Sequence, residues 1–211
     1  MAPPVELEDG DTVLPADEQA LIIACQTGDM AAYARLVHIY QDIALRTAYL
    51  ITNDRQAAED IAQNAFLNAL RNIHRFDVER PFRPWFLTIL TNEARMYMRS
   101  QRRHVSEALN PSLPEKSASL VNQVILNDER TRIREALAQL EEPFRTAAVL
   151  YYFNDLTIEE VASTMGCRPG TVKSRLYTAR HRLRHALSWP TEVAAGGPVR
   201  EEWMVLGETS G

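Results

Sequence analysis

The fold is decided by residues 156–176, whose sequence is LTIEEVASTMGCRPGTVKSRL. Thr157 stands three positions before Glu160, the spacing of a capping box, so a helix is predicted to begin just after Thr157. Gly166 permits a sharp turn after that helix, and Pro169 suits the first turn of the next one, where an N–H has no intrahelical partner. Two helices joined by a short glycine turn form a helix-turn-helix.

The second helix of this motif has two faces of different character. Apolar residues recur at helical spacing along one face, at Val172, Leu176, Ala179 and Leu183. Residues 168–185 hold six Lys or Arg side chains and no acidic one. Because the major groove of DNA admits a helix, a basic second helix predicts DNA reading. The alternative from these residues alone is an αα-hairpin with a polar outer face.

Helical spacing of apolar residues also runs through the rest of the chain, and no strand pattern interrupts it. One stripe runs from Ala58 to Ile73, and another begins at Trp85 and ends in a basic run at 99–103. Residues 76–84 contain two prolines and are predicted to form a loop. The predicted fold class is therefore all-α, with two small helical bundles joined by a flexible linker and the helix-turn-helix in the second bundle.

Changes in composition divide the chain into segments. The N-terminal segment is acidic, and prolines and serines without helical periodicity separate the two helical halves. The predicted organisation is an acidic arm at 1–17, a first helical domain at 18–104, a linker at 105–122, a second helical domain at 123–187 and a C-terminal tail at 188–211.

The net charge of −5 over 211 residues hides a segregation of charge. Residues 71–103 hold eight arginines against three acids, so that the chain has two basic segments. From charge alone these segments are either two contacts with a polyanion or two solvated helix faces. Two cysteines make no disulfide framework, which favours a reducing compartment. No apolar run approaches the roughly 20 residues of a membrane span, so we expect a cytoplasmic protein without membrane insertion.

Three segments, taken in order, resemble the group 4, or extracytoplasmic-function, sigma factors of bacterial RNA polymerase. Residues 57–66 (AAEDIAQNAF) are similar to sigma region 2.2, residues 80–87 (RPFRPWFL) and the basic helix after them to regions 2.3 and 2.4, and residues 156–176 to region 4.2. The resemblance covers about residues 18–187. It implies a protein without a catalytic centre that binds core polymerase, recognises two promoter elements and helps to open the duplex.

The resemblance assigns polymerase docking to the helix that contains residues 57–66. The matching positions are Asp60, Gln63 and Asn64, the last of which stands where the family usually has Glu. Side chains one helical turn apart form one exposed strip, which suits pairing with arginines of a partner helix. Spacing alone would assign Asp60 and Gln63 merely to the solvated face of an amphipathic helix.

Recognition of the minus-ten element is implied for the first domain. The loop at 76–84 is similar to the family's pocket for a base flipped out of the strand, and stacking and edge hydrogen bonds must offset the cost of flipping. The helix that follows is similar to the family's surface for the strand and its phosphates. The residues so implied are Phe76, Asp77, Arg80, Asn92, Arg95 and Arg99.

Recognition of the minus-thirty-five element is implied for the basic helix of the second domain. Lys173 has the reach for guanine acceptors or phosphate, and Arg175 is either a phosphate clamp or a partner in a helix–helix ion pair. The residues so implied are Arg168, Thr171, Lys173, Ser174, Arg175 and Tyr177.

The implied partners are core RNA polymerase, promoter DNA and an anti-sigma factor. Three rival functions stay open on the residues alone. A helix-turn-helix regulator would bind DNA without polymerase, and a helical adaptor would not need two basic segments. An enzyme is the third rival, but the sequence holds no phosphate-binding glycine loop, zinc-protease motif or Cys–His metal spacing, so no catalytic residue, metal or cofactor is predicted.

Overall fold

The computed structural model describes residues 15–107 and 128–187. Within these ranges the chain forms helices and turns and no strand, which confirms the all-α prediction. None of the described helices is both long and apolar enough to cross a membrane. Most of the predicted arm, most of the predicted linker and the whole predicted tail lie outside the described residues.

The first bundle contains four helices: α1 (Pro15–Gln26), α2 (Met30–Thr52), α3 (Arg55–Asn72) and α4 (Phe82–Glu107). A 3₁₀ turn, Ile73–Arg75, extends α3. The α3 helix packs against both α2 and α4, and α1 packs against α2. The apolar stripe predicted on α3 therefore faces the centre of the bundle.

Two helix ends differ from the predicted domain limits. The α1 helix begins at Pro15, inside the predicted arm, because proline is well suited to the first position of a helix. The α4 helix continues to Glu107, inside the predicted linker. Its last turns contain Arg, Gln and Glu, which favour the helical conformation.

Polar residues fix the junctions between α1, α2 and α3. The Asp29 carboxylate accepts hydrogen bonds from the N–H groups of Ala31 and Ala32 at the start of α2. Asn53 ends α2 in the left-handed conformation, with φ 56°, which asparagine tolerates better than most residues. Asp54 then caps α3 by accepting from the N–H of Ala57. Two consecutive residues thus end one helix and start the next.

The α4 helix begins before the predicted position. The sequence places Pro84 in a loop, whereas the helix starts at Phe82 and holds Pro84 in its first turn. The N–H groups of a first turn have no intrahelical acceptor, so proline removes no bond there. The ring of Phe82 is buried, with its centroid 5.2 Å from that of Tyr40 and 5.5 Å from that of Phe76. This aromatic packing anchors the start of α4 in the core.

The second bundle contains α5 (Asp128–Ala138), α6 (Glu142–Ala148), α7 (Ile158–Met165) and α8 (Pro169–Leu187). A π-helical turn, Val149–Phe153, continues α6. The α8 helix packs against α5, α6 and α7 and so forms the centre of the bundle.

The predicted helix-turn-helix is confirmed in α7 and α8. The Thr157 hydroxyl accepts from the N–H of Glu160 at 3.2 Å, and the Glu160 carboxylate accepts from the N–H of Thr157 at 2.8 Å. Gly166 ends α7 in the left-handed conformation, with φ 61°. The predicted apolar face of α8 is buried at Val172, Leu176, Ala179 and Leu183.

The two bundles pack against each other, a feature that the prediction of two linked modules did not include. The α7 helix lies on α4, and α2 contacts α5, α6 and the π-helical turn. One apolar cluster joins the bundles, from Phe86 and Leu90 on α4 to Leu150 and Val161 in the second bundle. This contact brings candidate site residues of the first bundle close to the second.

Candidate nucleic-acid interface

The polar strip predicted on α3 is exposed. Asp60, Gln63 and Asn64 face solvent, while Ile61 and Ala65 are buried. Positions three and four apart lie next to each other on one side of a helix. The structure therefore brings the three predicted docking residues together.

Leu67 extends this strip by a further turn, and sequence reasoning missed it. Its side chain is apolar yet 46% exposed, and it lies seven positions after Asp60, on the same side of α3. One signal was available in the sequence: Leu67 falls between Ala65 and Ala69 of the buried stripe and therefore outside its spacing. We define the docking strip as Asp60, Gln63, Asn64 and Leu67.

The loop before α4 presents two of its three predicted residues. Asp77 and Arg80 are exposed and form an ion pair at 3.3 Å, and the Asp77 carboxylate also accepts from the N–H of Glu79 at 3.2 Å. Phe76 is buried instead, with its ring centroid 4.9 Å from that of Trp85. The expectation that Phe76 meets a base is therefore corrected, because its ring supports the loop from the core.

The predicted face of α4 is only partly accessible. Asn92 and Arg99 are exposed. The Arg95 side chain is only 20% exposed, because its Nε donates to Glu142 Oε1 at 3.4 Å and its Nη1 to the Met165 carbonyl at 3.4 Å. Both partners belong to the second bundle, so the structure separates Arg95 from its two exposed neighbours.

The predicted reading face of α8 is open to solvent. Lys173, Ser174 and Tyr177 are exposed, Tyr177 to 65%, on the side opposite the buried stripe. Arg168 and Thr171 are exposed at the start of the same helix. The structure therefore presents five of the six predicted minus-thirty-five contacts on and just before one exposed helix.

Two arginines of the basic segment contact other residues of the second bundle. Arg175 turns toward α7, where its Nη1 lies 3.6 Å from Cys167 Sγ and 3.8 Å from Met165 Sδ. Arg182 Nη1 lies 2.9 Å from Glu141 Oε1, and its guanidinium lies over the Phe144 ring at 4.9 Å from the centroid. The phosphate-facing charge of α8 is therefore smaller than its composition suggests, and Arg175 forms no helix–helix ion pair within the described ranges.

Within the described ranges, no group of three or more His, Cys, Asp or Glu side chains is arranged to hold a metal ion.

Burial raises the pKa of the Tyr97 hydroxyl on α4, and the hydrogen bond that it donates to Asp54 at 3.0 Å raises this pKa further. Tyr97 thus ties α4 to the start of α3 as a neutral donor.

Two family models match the chain. Sigma-70 region 2 matches residues 36–104, and Sigma-70, region 4 matches residues 130–183. The chain is 31% identical to the RNA polymerase sigma-H factor of Pseudomonas aeruginosa, over 81% of this chain and 93% of that protein. It is also 31% identical to the extracytoplasmic-function RNA polymerase sigma factor SigW of Bacillus subtilis, over 76% of this chain and 91% of that protein.

Two solved structures share the fold. CnrH, in complex with the cytosolic domain of CnrY, matches with a TM-score of 0.61 and 22% identity over 81% of this chain and 97% of that one. The sigma factor RpoE of Bartonella quintana, in complex with the anti-sigma factor NepR, matches with a TM-score of 0.62 and 23% identity over 74% of this chain and 96% of that one. At these identities the likeness establishes the fold.

Proposed function

The chain belongs to the extracytoplasmic-function sigma factors of the sigma-70 family, and on this basis we propose that it binds bacterial core RNA polymerase and directs transcription from specific promoters. One observation supports the proposal most strongly. A single chain holds an exposed docking strip on α3 and, in a separate bundle, a helix-turn-helix with an exposed polar reading face. A regulator that binds DNA without polymerase needs only the second of these features.

In this proposal α8 enters the major groove of the minus-thirty-five element. Ser174 and Tyr177 reach the base edges, since the first turns of a recognition helix lie deepest in the groove, and Lys173 contacts a phosphate beside them. Arg168 and Thr171 lie near the start of α8, where backbone N–H groups and the helix dipole favour a phosphate. Arg175 and Arg182 hold the helix in its bundle and so set its orientation.

The minus-ten element meets the loop at 76–81 and the outer face of α4. Asp77 and Arg80 stand exposed beside each other, with donors and acceptors suited to the edge of a flipped base. Asn92 and Arg99 contact the strand and its phosphates from α4, while Arg95 is held by Glu142 and the Met165 carbonyl of the second bundle. Phe76 and Phe82 fix the loop from the core.

The docking strip binds the polymerase. Asp60 offers a carboxylate for an ion pair with a basic helix of the partner, and Gln63 and Asn64 offer amide hydrogen bonds. Leu67 adds apolar contact area at the end of the strip. Burying this leucine excludes water from the neighbouring ion pair, which strengthens it because the local dielectric falls.

The proposal also includes the cellular compartment of the protein and its regulation by a partner. We assign the protein to the cytoplasm, where core polymerase and promoter DNA meet, and assign it no catalytic role and no cofactor. An anti-sigma factor is the third proposed partner. The solved relatives CnrH and RpoE, each determined in a complex, support this part of the proposal through their shared fold.

Core binding by charge-reversed variants of α3 tests the proposal. Asp60→Arg is expected to abolish co-elution with core polymerase in gel filtration, because it places a cation where the partner presents one. Asp42→Arg is the matched control with the same change of charge, because Asp42 is an exposed carboxylate on α2, outside the docking strip. Equal loss in both variants, or binding retained by Asp60→Arg, would contradict the docking assignment.

A further inference from the structure

We propose that α8 carries a two-histidine site for a divalent transition-metal ion, formed by His181 and His185, and that an ion held there adds a contact to promoter DNA. Neither histidine belongs to the residues assigned above to the minus-thirty-five contact. Metal binding is independent of the proposed function. The DNA contact rests on the proposed function, because it concerns the side of α8 that faces the duplex in that proposal.

The two histidines lie one helical turn apart on α8, and both are exposed. Positions four apart are neighbours on a helix, and two histidines at this spacing can bind one metal ion. Their ring centroids are 5.0 Å apart, and the ring planes are inclined by 51°. Imidazole nitrogens at about 2.0–2.1 Å from a shared ion place the ring centroids roughly 4.5–5.3 Å apart. The observed centroid separation therefore lies in the range that one shared ion requires.

The charge around the pair determines which ions the site accepts. Arg180 and Arg184 each directly precede one of the histidines, and α8 contains no acidic residue, so the local potential is positive. A hard cation such as Mg²⁺ prefers oxygen ligands, which the pair does not offer. Ni²⁺, Zn²⁺ and Cu²⁺ instead bind neutral imidazole nitrogen. The site is therefore expected to take an ion of this second class and to refuse Mg²⁺.

Two protein ligands leave an ion with open coordination positions. Within the part of the chain that the structure describes, no group of three or more His, Cys, Asp or Glu side chains could complete the coordination shell. The remaining positions of a four- or six-coordinate ion are then exchangeable, as in open metal sites. Water, a phosphate oxygen or the N7 atom of guanine can occupy such a position.

The pair lies on the same side of α8 as the reading residues. Ser174, Tyr177 and His181 follow one another at spacings of three and four positions, and His185 continues this row by one more turn. The first turns of a recognition helix lie deepest in the groove, so the last turns lie nearer to the phosphates at its edge. An ion at the pair therefore adds positive charge and an open coordination position on the DNA side, which favours tighter promoter binding.

Calorimetric titration of the full-length chain, without an affinity tag, with Ni²⁺ tests the site. His181→Gln and His185→Gln are each expected to weaken Ni²⁺ binding at least tenfold, because each removes one of two ligands, and Mg²⁺ is expected to give no binding. His74→Gln is the matched control, since His74 is an exposed histidine in the 3₁₀ turn of the first bundle. Absence of Ni²⁺ binding by the wild type, or equal affinities of the α8 variants and the control, would overturn the site.

The position of the ion can be read without substitutions by nuclear magnetic resonance of the same chain. Bound Ni²⁺ is paramagnetic and broadens the signals of nearby nuclei. The amide signals around His181 and His185 are expected to broaden at the lowest Ni²⁺ concentrations, before those of the first bundle. Broadening that begins around another residue would overturn the assignment of the site to α8.

Promoter binding by the holoenzyme, with and without Ni²⁺ at fixed salt, tests the DNA contact. The wild-type holoenzyme is expected to bind promoter duplex about threefold more tightly with Ni²⁺, whereas the affinity of the His185→Gln holoenzyme should not respond. An equal response of the two proteins would overturn the DNA contact. If the wild-type holoenzyme binds no promoter at all, the proposed function and the DNA contact both fail, while the calorimetric titration still decides the metal site.

Discussion

Thr47 on α2 and Asn154 after the π-helical turn lie 107 positions apart in the sequence, yet the Thr47 hydroxyl donates to the Asn154 side-chain oxygen at 3.0 Å. Both residues are fully buried. The Asn154 amide nitrogen donates in turn to the carbonyl of Val149 at 3.2 Å. Asn154 therefore uses both ends of its amide, one to shape the turn and one to join the two bundles.

Replacement of Asn154 by alanine is expected to lower the free energy of unfolding by about 1–3 kcal/mol, because the Thr47 hydroxyl and the Val149 carbonyl stay buried without this partner. Urea denaturation followed by circular dichroism measures the change. The control is Thr178→Ala, which removes a hydroxyl that donates to the carbonyl of Ser174 on α8 and is expected to change stability by about 0.5 kcal/mol or less. Equal losses in both variants would contradict the role given to Asn154.

The two glycines around the turn of the helix-turn-helix are expected to respond to alanine with opposite signs. Gly166→Ala is expected to lower stability by about 1 kcal/mol, because its φ of 61° disfavours a Cβ even though no atom lies within 4 Å of the added carbon. Gly170→Ala, which also has open space around the added carbon, lies in α8 with helical backbone and is expected to raise stability by about 0.5 kcal/mol. Thermal unfolding of both variants measures the difference, and a shared sign would refute this explanation.

A salt titration of DNA binding is expected to distinguish basic residues of α8 that contact phosphate from those that contact their own bundle. Lys173→Ala should reduce the slope of log affinity against log salt by about 0.9 for the holoenzyme on promoter duplex, since one phosphate contact is lost. Arg182→Ala should leave that slope unchanged and lower the unfolding midpoint, because Arg182 contacts Glu141 and Phe144. Interchanged outcomes would show that the assignment of these two side chains is reversed.

Stability is expected to fall in alkaline solution through Tyr33. Burial raises the pKa of the Tyr33 hydroxyl to about 12, and this hydroxyl donates to the carbonyl of Phe66. The unfolded chain loses the tyrosine proton near its ordinary pKa of about 10, so between about pH 10 and pH 12 the native state retains the proton and stability falls by up to about 1.4 kcal/mol per pH unit. Tyr33→Phe should flatten this part of the pH profile in urea denaturation. An unchanged profile would contradict the raised pKa.

Local features were predictable from the sequence because neighbouring residues determine them. The capping box at Thr157, the turn at Gly166 and the buried face of α8 depend on residues within one or two helical turns. The exposed strip on α3 was likewise predictable from spacing, once the family resemblance gave it a role. Leu67 was missed because an apolar residue in a helix is expected to face the core.

Long-range features were not predictable in this way. The start of α4 depends on how Phe82 packs against Tyr40, and the burial of Phe76 depends on the same aromatic group. The burial of Arg95 depends on Glu142, which lies 47 positions further along the chain. A single sequence carries no signal for such a pairing. The burial of Arg95 against the second bundle is therefore seen only in the three-dimensional structure.

The most direct measurement of the central claim is run-off transcription with purified core polymerase and genomic fragments, with and without the protein. The account predicts that the protein co-elutes with the core and produces defined start sites that the core alone does not produce. Asp60→Arg should remove these start sites by loss of core binding, and Lys173→Ala should weaken them while core binding is retained. A core enzyme that initiates at the same sites with and without the protein would contradict the account.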